Sequence, residues 1–256
     1  MTPESAVLTE RRDRVLVVTI NRPDQRNAIN AAVADGIAAA LDQLDSDPEL
    51  SVGVLTGTGK GFSAGMDLKA FVVGESSDGR DRGFAGITER PAEKPLIAAI
   101  EGFAMAGGLE IALACDLIVA SRGARLALPE AKRSLVASAG GLLRLPRVLP
   151  RTIASELALT GEPIEAERAY ELGMVNRLAD PGEALQVALE LAGAIAANGP
   201  LAVRATKRIL QESLDWAEPE FFERQEAIAG PVYASDDARE GATAFAEKRS
   251  PVWRGR

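Results

Sequence analysis

The chain has 256 residues, 29 basic against 37 acidic, a formal charge of −8 and no histidine. The missing histidine excludes Ser-His-Asp and Cys-His nucleophiles, His-rich metal sites and imidazole switches, leaving carboxylates, lysines, hydroxyls and backbone amides for any chemistry. The acidic balance disfavours nucleic acid as a partner. No apolar run approaches the ~20 residues of a membrane span, and a lone Cys115 with a polar N-terminal stretch reads as a cytoplasmic chain without disulfides.

Residues 15–20 (VLVVTI) are apolar at both parities, as in a strand covered on both faces, and residues 50–55 and 95–100 repeat that character. Between the first two, Val33, Ile37, Leu41 and Leu44 recur at helical spacing from Asn30 until Asp45, Ser46, Asp47 and Pro48 stop the helix. Residues 74–82 form a polar loop expected to be mobile. A second apolar helix starts at Gly107 and runs to Cys115, which reads as a small buried hydrophobe, and a strand follows over 117–120. This alternation predicts an α/β layer protein. Beyond Gly140 the pattern is mainly helical, over 142–149, 154–159, 164–172 and 184–197, with one short strand at 175–178. Helices also cover 200–216, opened by Pro200, and 236–249, capped by Ser235. A boundary at Asn198-Gly199-Pro200 divides a core, 1–198, from a helical region, 199–256.

The turn Thr56-Gly57-Thr58-Gly59-Lys60-Gly61 fails as a phosphate loop, because Val54 stands where a Walker glycine is needed and Gly61 where Ser or Thr is needed. It reads as a tight turn after a strand. Residues 62–68, Phe-Ser-Ala-Gly-Met-Asp-Leu, are small enough for backbone to approach a ligand, with Asp67 as a helix cap. In residues 102–110 a strand gives way to an apolar helix whose first amides, at Gly107 and Gly108, can donate to an oxygen that becomes negative. Glu110 in the first turn is favoured as an anion by the helix dipole. Glu130 closes a strand-like run just after Pro129, which stiffens its approach. Two acids on separate elements serve as acid and base only if the fold joins them.

Together these segments resemble the crotonase, or enoyl-CoA hydratase/isomerase, superfamily over essentially the whole chain. Asn21-Arg22-Pro23 with Asn27-Ala28-Ile29, the segments 62–68 and 104–110, Leu128-Pro129-Glu130, Gly140-Gly141 and Phe245-Ala246-Glu247-Lys248-Arg249 carry the likeness. The resemblance implies a core spiral of ββα turns, a C-terminal helical trimerisation region, and a trimer or dimer of trimers. It implies an acyl-CoA thioester substrate, with no cofactor apart from the coenzyme A of the substrate and no metal. The thioester oxygen would accept from the amides of Met66 and Gly107. The two hydratase acid positions are filled by Glu110 and Glu130. Arg26, Ala28, Ala64, Lys69 and Lys248 fall at coenzyme A positions, Lys248 reaching across a subunit boundary.

The implied activity is addition of water to an enoyl-CoA. Segments 83–89, 128–132 and 245–253 are worded most like the carnitinyl-CoA dehydratase branch, which acts on a trimethylammonium acyl chain. That dehydratase, a double-bond isomerase, a thioester hydrolase and a catalytically silent CoA-binding protein remain the alternatives. Met66, Ala106 and Ala137-Ser138 depart from the commoner small residue, glycine and Pro-Gly, and bear on the shape of the acyl pocket.

Overall fold

The computed structural model describes residues 5–256. Its elements are β1 (Val7–Arg12), β2 (Val15–Ile20), α1 (Ala31–Ser46), β3 (Val52–Gly57), α2 (Leu68–Val72), β4 (Leu96–Ile100), β5 (Phe103–Met105), α3 (Gly107–Ala114), β6 (Leu117–Ser121) and β7 (Arg125–Ala127). There follow α4 (Gly141–Val148), α5 (Arg151–Thr160), β8 (Ile164–Glu165), α6 (Ala166–Glu171), β9 (Arg177–Ala179), α7 (Ala184–Ala196), α8 (Pro200–Glu212), α9 (Phe221–Tyr233) and α10 (Asp236–Glu247).

Six strands form the main sheet in the order β1-β2-β3-β4-β6-β9, parallel except for the β1–β2 hairpin. A second sheet, β5-β7-β8, runs alongside it. After β4 and again after β6 the chain turns a corner, adds a short strand to the second sheet, and only then enters helix. Single parallel bridges, Ile29 to Met66 and Ser63 to Ala104, continue that second layer towards the N-terminus. The result is the ββα spiral that the resemblance implies.

The continuous apolar character of the strands follows from this layering. Val15, Val52, Val54, Ile97, Ala99 and Val119 face one way, against Ala184, Ala188 and Ala192 of α7. The alternate residues, among them Leu16, Val18, Leu55, Leu96, Ala98 and Ile118, face the larger core with Val33, Ile37, Leu41 and Leu44 of α1 and Leu109 and Ile111 of α3. Both faces of a parallel sheet are thus covered, so neither parity can be polar. Asn30 caps α1 by accepting from the Val33 amide, a contact worth about 1 kcal/mol.

The structure departs from the expected elements at several places. The end of the loop 74–82 is tied down: Arg82, 1% exposed, donates to Asp42, Asp45 and the carbonyls of Arg90 and Pro91, fixing it to α1, while Gly74, Glu75 and Ser76 are exposed. Glu130 does not end a strand. The strand β7 stops at Ala127, and Glu130 opens a 3-10 turn over Glu130–Arg133. Residues 164–165 pair with β7 before the helix starts at Ala166. Strand β1 was not expected, because VLTERR buries only Val7 and is otherwise exposed at the sheet edge.

Between α7 and α8 the chain bends by 109°. Helix α8 is anchored to the core through Lys207, whose Nζ donates to the Asp116 carboxylate at 2.6 Å and to the Lys94 carbonyl at 2.9 Å. Helices α9 and α10 leave Phe222, Tyr233 and Phe245 exposed, the last at 88%.

Candidate active site

Segment 62–66 and segment 104–108 are fastened to each other. The Met105 amide donates to the Ser63 carbonyl at 3.0 Å, and the Ser63 hydroxyl donates to the Asn27 carbonyl while accepting from the Gly65 amide. Gly65, at φ +88°, lies so close that a Cβ there would sit 2.8 Å from the Gly107 nitrogen. The Met66 and Gly107 amides therefore flank one small space, and among the described residues neither has an acceptor. Gly107 opens α3, where the first amides have no partner within the helix. Ala106, the N-cap, holds φ 52° and ψ −128°, a conformation that strains any residue with a Cβ by about 1–3 kcal/mol. That strain aims the α3 amides at the space beside Met66.

The two acids meet from different directions. Glu110, 4% exposed on α3, accepts from the Gly141 amide at 2.9 Å. Burial pushes its carboxyl above the ordinary range, opposed by the amides of Gly141 and Ala139 and by the Arg144 charge. Glu130 lies half-buried in its 3-10 turn with one carboxyl oxygen, Oε2, buried and without a partner. Burial raises it to about 7, and the Glu110 charge adds to the rise. An acid that titrates near neutrality beside a carboxyl held by backbone amides and a nearby cation is the arrangement in which one donates a proton and the other accepts one.

Next to these groups lies a cavity of about 430 Å³ lined by Met66, Phe84, Thr88, Ser138 and Ala139. Phe84 also packs against Gly107, so the cavity leads from the amide pair towards the loop that carries Gly141. Ser138, one of the departures noted in the sequence, is part of the wall. A second cavity, about 470 Å³, opens beside Leu117, Arg122, Asn176 and Val187 and has no carboxylate in its lining.

Of the residues at coenzyme A positions, Arg26, Ala28 and Ala64 gather at one edge of the amide pair. The Ala64 amide donates to the Arg26 carbonyl at 3.0 Å, and Ile29, next to Ala28, pairs with Met66. Arg26 is exposed, and Lys69 is exposed on α2. Asp67 caps α2 as expected, accepting from the Lys69 and Ala70 amides. Burial would raise its carboxyl, but Arg22 and those amides hold it below the usual range. Lys248 is not brought to this group within the chain: it ends α10 in a left-handed turn, exposed.

Cys115 is half-buried, and burial pushes its thiol up, which leaves it unreactive. Among the described residues no cluster of three metal-ligating side chains occurs.

Sequence reasoning missed the Gly141 amide as a carboxylate holder, Arg144, and Thr88, which is 3% exposed with an unpartnered hydroxyl. The Gly140-Gly141 pair was the available signal.

Residues 10–256 match the family model described as enoyl-CoA hydratase/isomerase. The chain is similar to the enoyl-CoA hydratase EchA19 of Mycobacterium tuberculosis, 44% identical over 97% of this chain and 96% of that one. It is similar to the carnitinyl-CoA dehydratase of Salmonella typhi, 43% identical over 99% of each. The crystal structure of enoyl-CoA hydratase EchA1 from Mycobacterium marinum superposes with a TM-score of 0.97 at 58% identity, covering 99% of this chain and all of that one. The match over residues 10–256, on a ββα spiral shared along its length and with full-length relatives above 40% identity, places this chain in the enoyl-CoA hydratase/isomerase family.

Proposed function

We propose that this protein adds water across the 2,3 double bond of a trans-2-enoyl-CoA. The observation that carries the reading is the pairing of Glu110, held by the Gly141 amide, with Glu130, one oxygen of which is buried without a partner, on a chain whose Met66 and Gly107 amides are also unpartnered. The thioester carbonyl oxygen accepts from both amides. Glu110 takes a proton from water as its oxygen bonds to C3. Electron density moves through C2 to the thioester oxygen, where each fixed amide is worth about 3 kcal/mol as charge develops. Glu130 then delivers its proton to C2. The product is a 3-hydroxyacyl-CoA, and Glu110 and Glu130 recover their starting states by exchange with solvent.

The phosphates of coenzyme A are met by Arg26 and Lys69 at the open edge of the site, with Lys248 supplied by a neighbouring subunit. Exposed Phe222, Tyr233 and Phe245 on α9 and α10 support burial against other copies, as a trimer or dimer of trimers. A second reading, dehydration or hydration of a carnitinyl-type chain, draws on Glu75, Asp78 and Glu89, which also line the cavity. Three acids there suit a cationic acyl group.

A panel of plain 2-enoyl-CoA thioesters and one bearing a trimethylammonium group, assayed for hydration, separates the two readings. Preference for the cationic substrate selects the second, preference for plain chains the first, and isomerisation or thioester cleavage without hydration defeats both.

A further inference from the structure

Arg144 lies on α4, one turn beyond Gly140 and Gly141, and its guanidinium folds back over the N-terminal end of its own helix. Nη2 donates to the Thr88 carbonyl, while Nη1 is buried with no partner among the described residues. A side chain on Gly140, which holds φ +95°, would overlap Nη1. The backbone is therefore bare where the guanidinium lies.

A cation in this position runs against two physical preferences. The N-terminal end of a helix carries partial positive charge and favours anions, and a buried guanidinium with one hydrogen bond is costly unless a counter-charge is near. The anion at this end of α4 is Glu110, whose Oε1 accepts from the Gly141 amide. The same carboxyl would touch a Cβ at Gly141, the residue next to the one covered by Arg144. Of the charged groups around the acid pair, Arg144 acts on Glu110, and Glu110 and Arg133 act on Glu130. Arg147 and the Cys115 thiol are the other titratable groups that act on Arg144. Arg144 is thus the cation on the Glu110 side of the pair.

We infer that Arg144 is a positioning residue that keeps Glu110 ionised and so decides which of the two glutamates serves as the base. The inference rests on the hydratase reading above and adds to it the group that breaks the symmetry of two neighbouring carboxyls. Its tie to Thr88 also links the acyl-cavity wall to the loop that holds Glu110.

The test is the pH dependence of kcat/KM for hydration of a short 2-enoyl-CoA by the full-length wild type, R144Q and R144K. Glutamine keeps a donor for the Thr88 carbonyl and loses the charge; lysine keeps the charge. A base must be deprotonated, so losing the cation moves the acid limb upward. R144Q is expected to shift it by about one pH unit, a roughly tenfold loss below the limb, carried by kcat more than KM. R144K is expected to stay near the wild-type limb. An unshifted limb in folded R144Q overturns the inference, and so does a limb in R144K displaced as far as in R144Q, which would make guanidinium shape rather than charge the requirement.

If R144Q does not fold, R144M, which also loses the charge, carries the test through the infrared titration of the Glu110 carboxyl, assigned by difference against E110Q in the same background. A midpoint above that of the wild type is required, and an equal midpoint overturns the proposal. A wild-type chain that hydrates no enoyl-CoA sinks the hydratase reading instead, and the infrared titration still tests the pairing of Arg144 with Glu110.

Discussion

The α3–α4 junction and the 3-10 turn after Pro129 each present one glutamate, and they treat it oppositely. At the junction a buried carboxyl receives the Gly141 amide and faces a cation. At the turn the Glu130 carboxyl has a buried oxygen with no partner and faces another acid. Identical side chains thus acquire different surroundings, an arrangement that suits one carboxyl to take a proton and the other to give one.

The largest expected effect comes from erasing either side. Glu110→Gln and Glu130→Gln should each lower hydration by ~10²-fold or more, with smaller changes in substrate binding. Near-wild-type turnover in either variant removes that residue from the mechanism. Gly107→Pro deletes the free amide at the start of α3, the proposed donor to the thioester oxygen. Folded oligomer that still binds coenzyme A should then be unable to turn over; normal hydration by such a protein would show that the amide is not a donor.

A pH profile sharpens the contrast. Glu130 must be protonated to act, and its carboxyl titrates at about 7, so kcat/KM should fall as pH rises through that region. The limbs belong to the coupled pair rather than to single residues, yet Glu130→Gln should erase the alkaline limb from its residual activity. Persistence of that limb would assign it elsewhere.

Binding effects are next in size. Neutralising Arg26, Lys69 and Lys248 should weaken coenzyme A binding several-fold, most at low ionic strength. Affinity unchanged in all three would place the phosphates elsewhere. Met66→Ala keeps the amide and should retain hydration while changing chain-length preference, because the side chain lines the cavity.

Stability carries the smallest effect. The Glu130 carboxyl titrates higher folded than its ordinary value of 4.5, so its stabilising contribution is full below 4.5 and is lost as pH rises through about 7. Glutamine stays neutral throughout. Glu130→Gln should therefore melt a few degrees above wild type near pH 8 and level with it near pH 4. Equal melting temperatures at both would show that the turn does not resist the charge.

Most of the scaffold was legible in the sequence for a physical reason: strands covered on both faces must be apolar at both parities, and α1 announces itself through its spacing and Asn30. The free amide of Gly107 was legible as the first of an apolar helix, whereas Met66 was named only through the family resemblance. What escaped was non-local. Arg82 sits in a polar run that reads as mobile, and only Asp42 and Asp45, some 37 to 40 positions away, make it a brace. Arg144 reads as one more charge on an amphipathic helix until the fold sets its helix end against Glu110. Strand β1 escaped because an edge strand needs no second apolar face.

The central claim is that water adds to C3 of an enoyl thioester. Purified protein incubated with a short trans-2-enoyl-CoA in water labelled with heavy oxygen tests it in one product analysis. The account predicts a 3-hydroxyacyl-CoA carrying the label on C3 with the thioester intact. Label in a released carboxylate, a shifted double bond without label, or unchanged enoyl-CoA would contradict it.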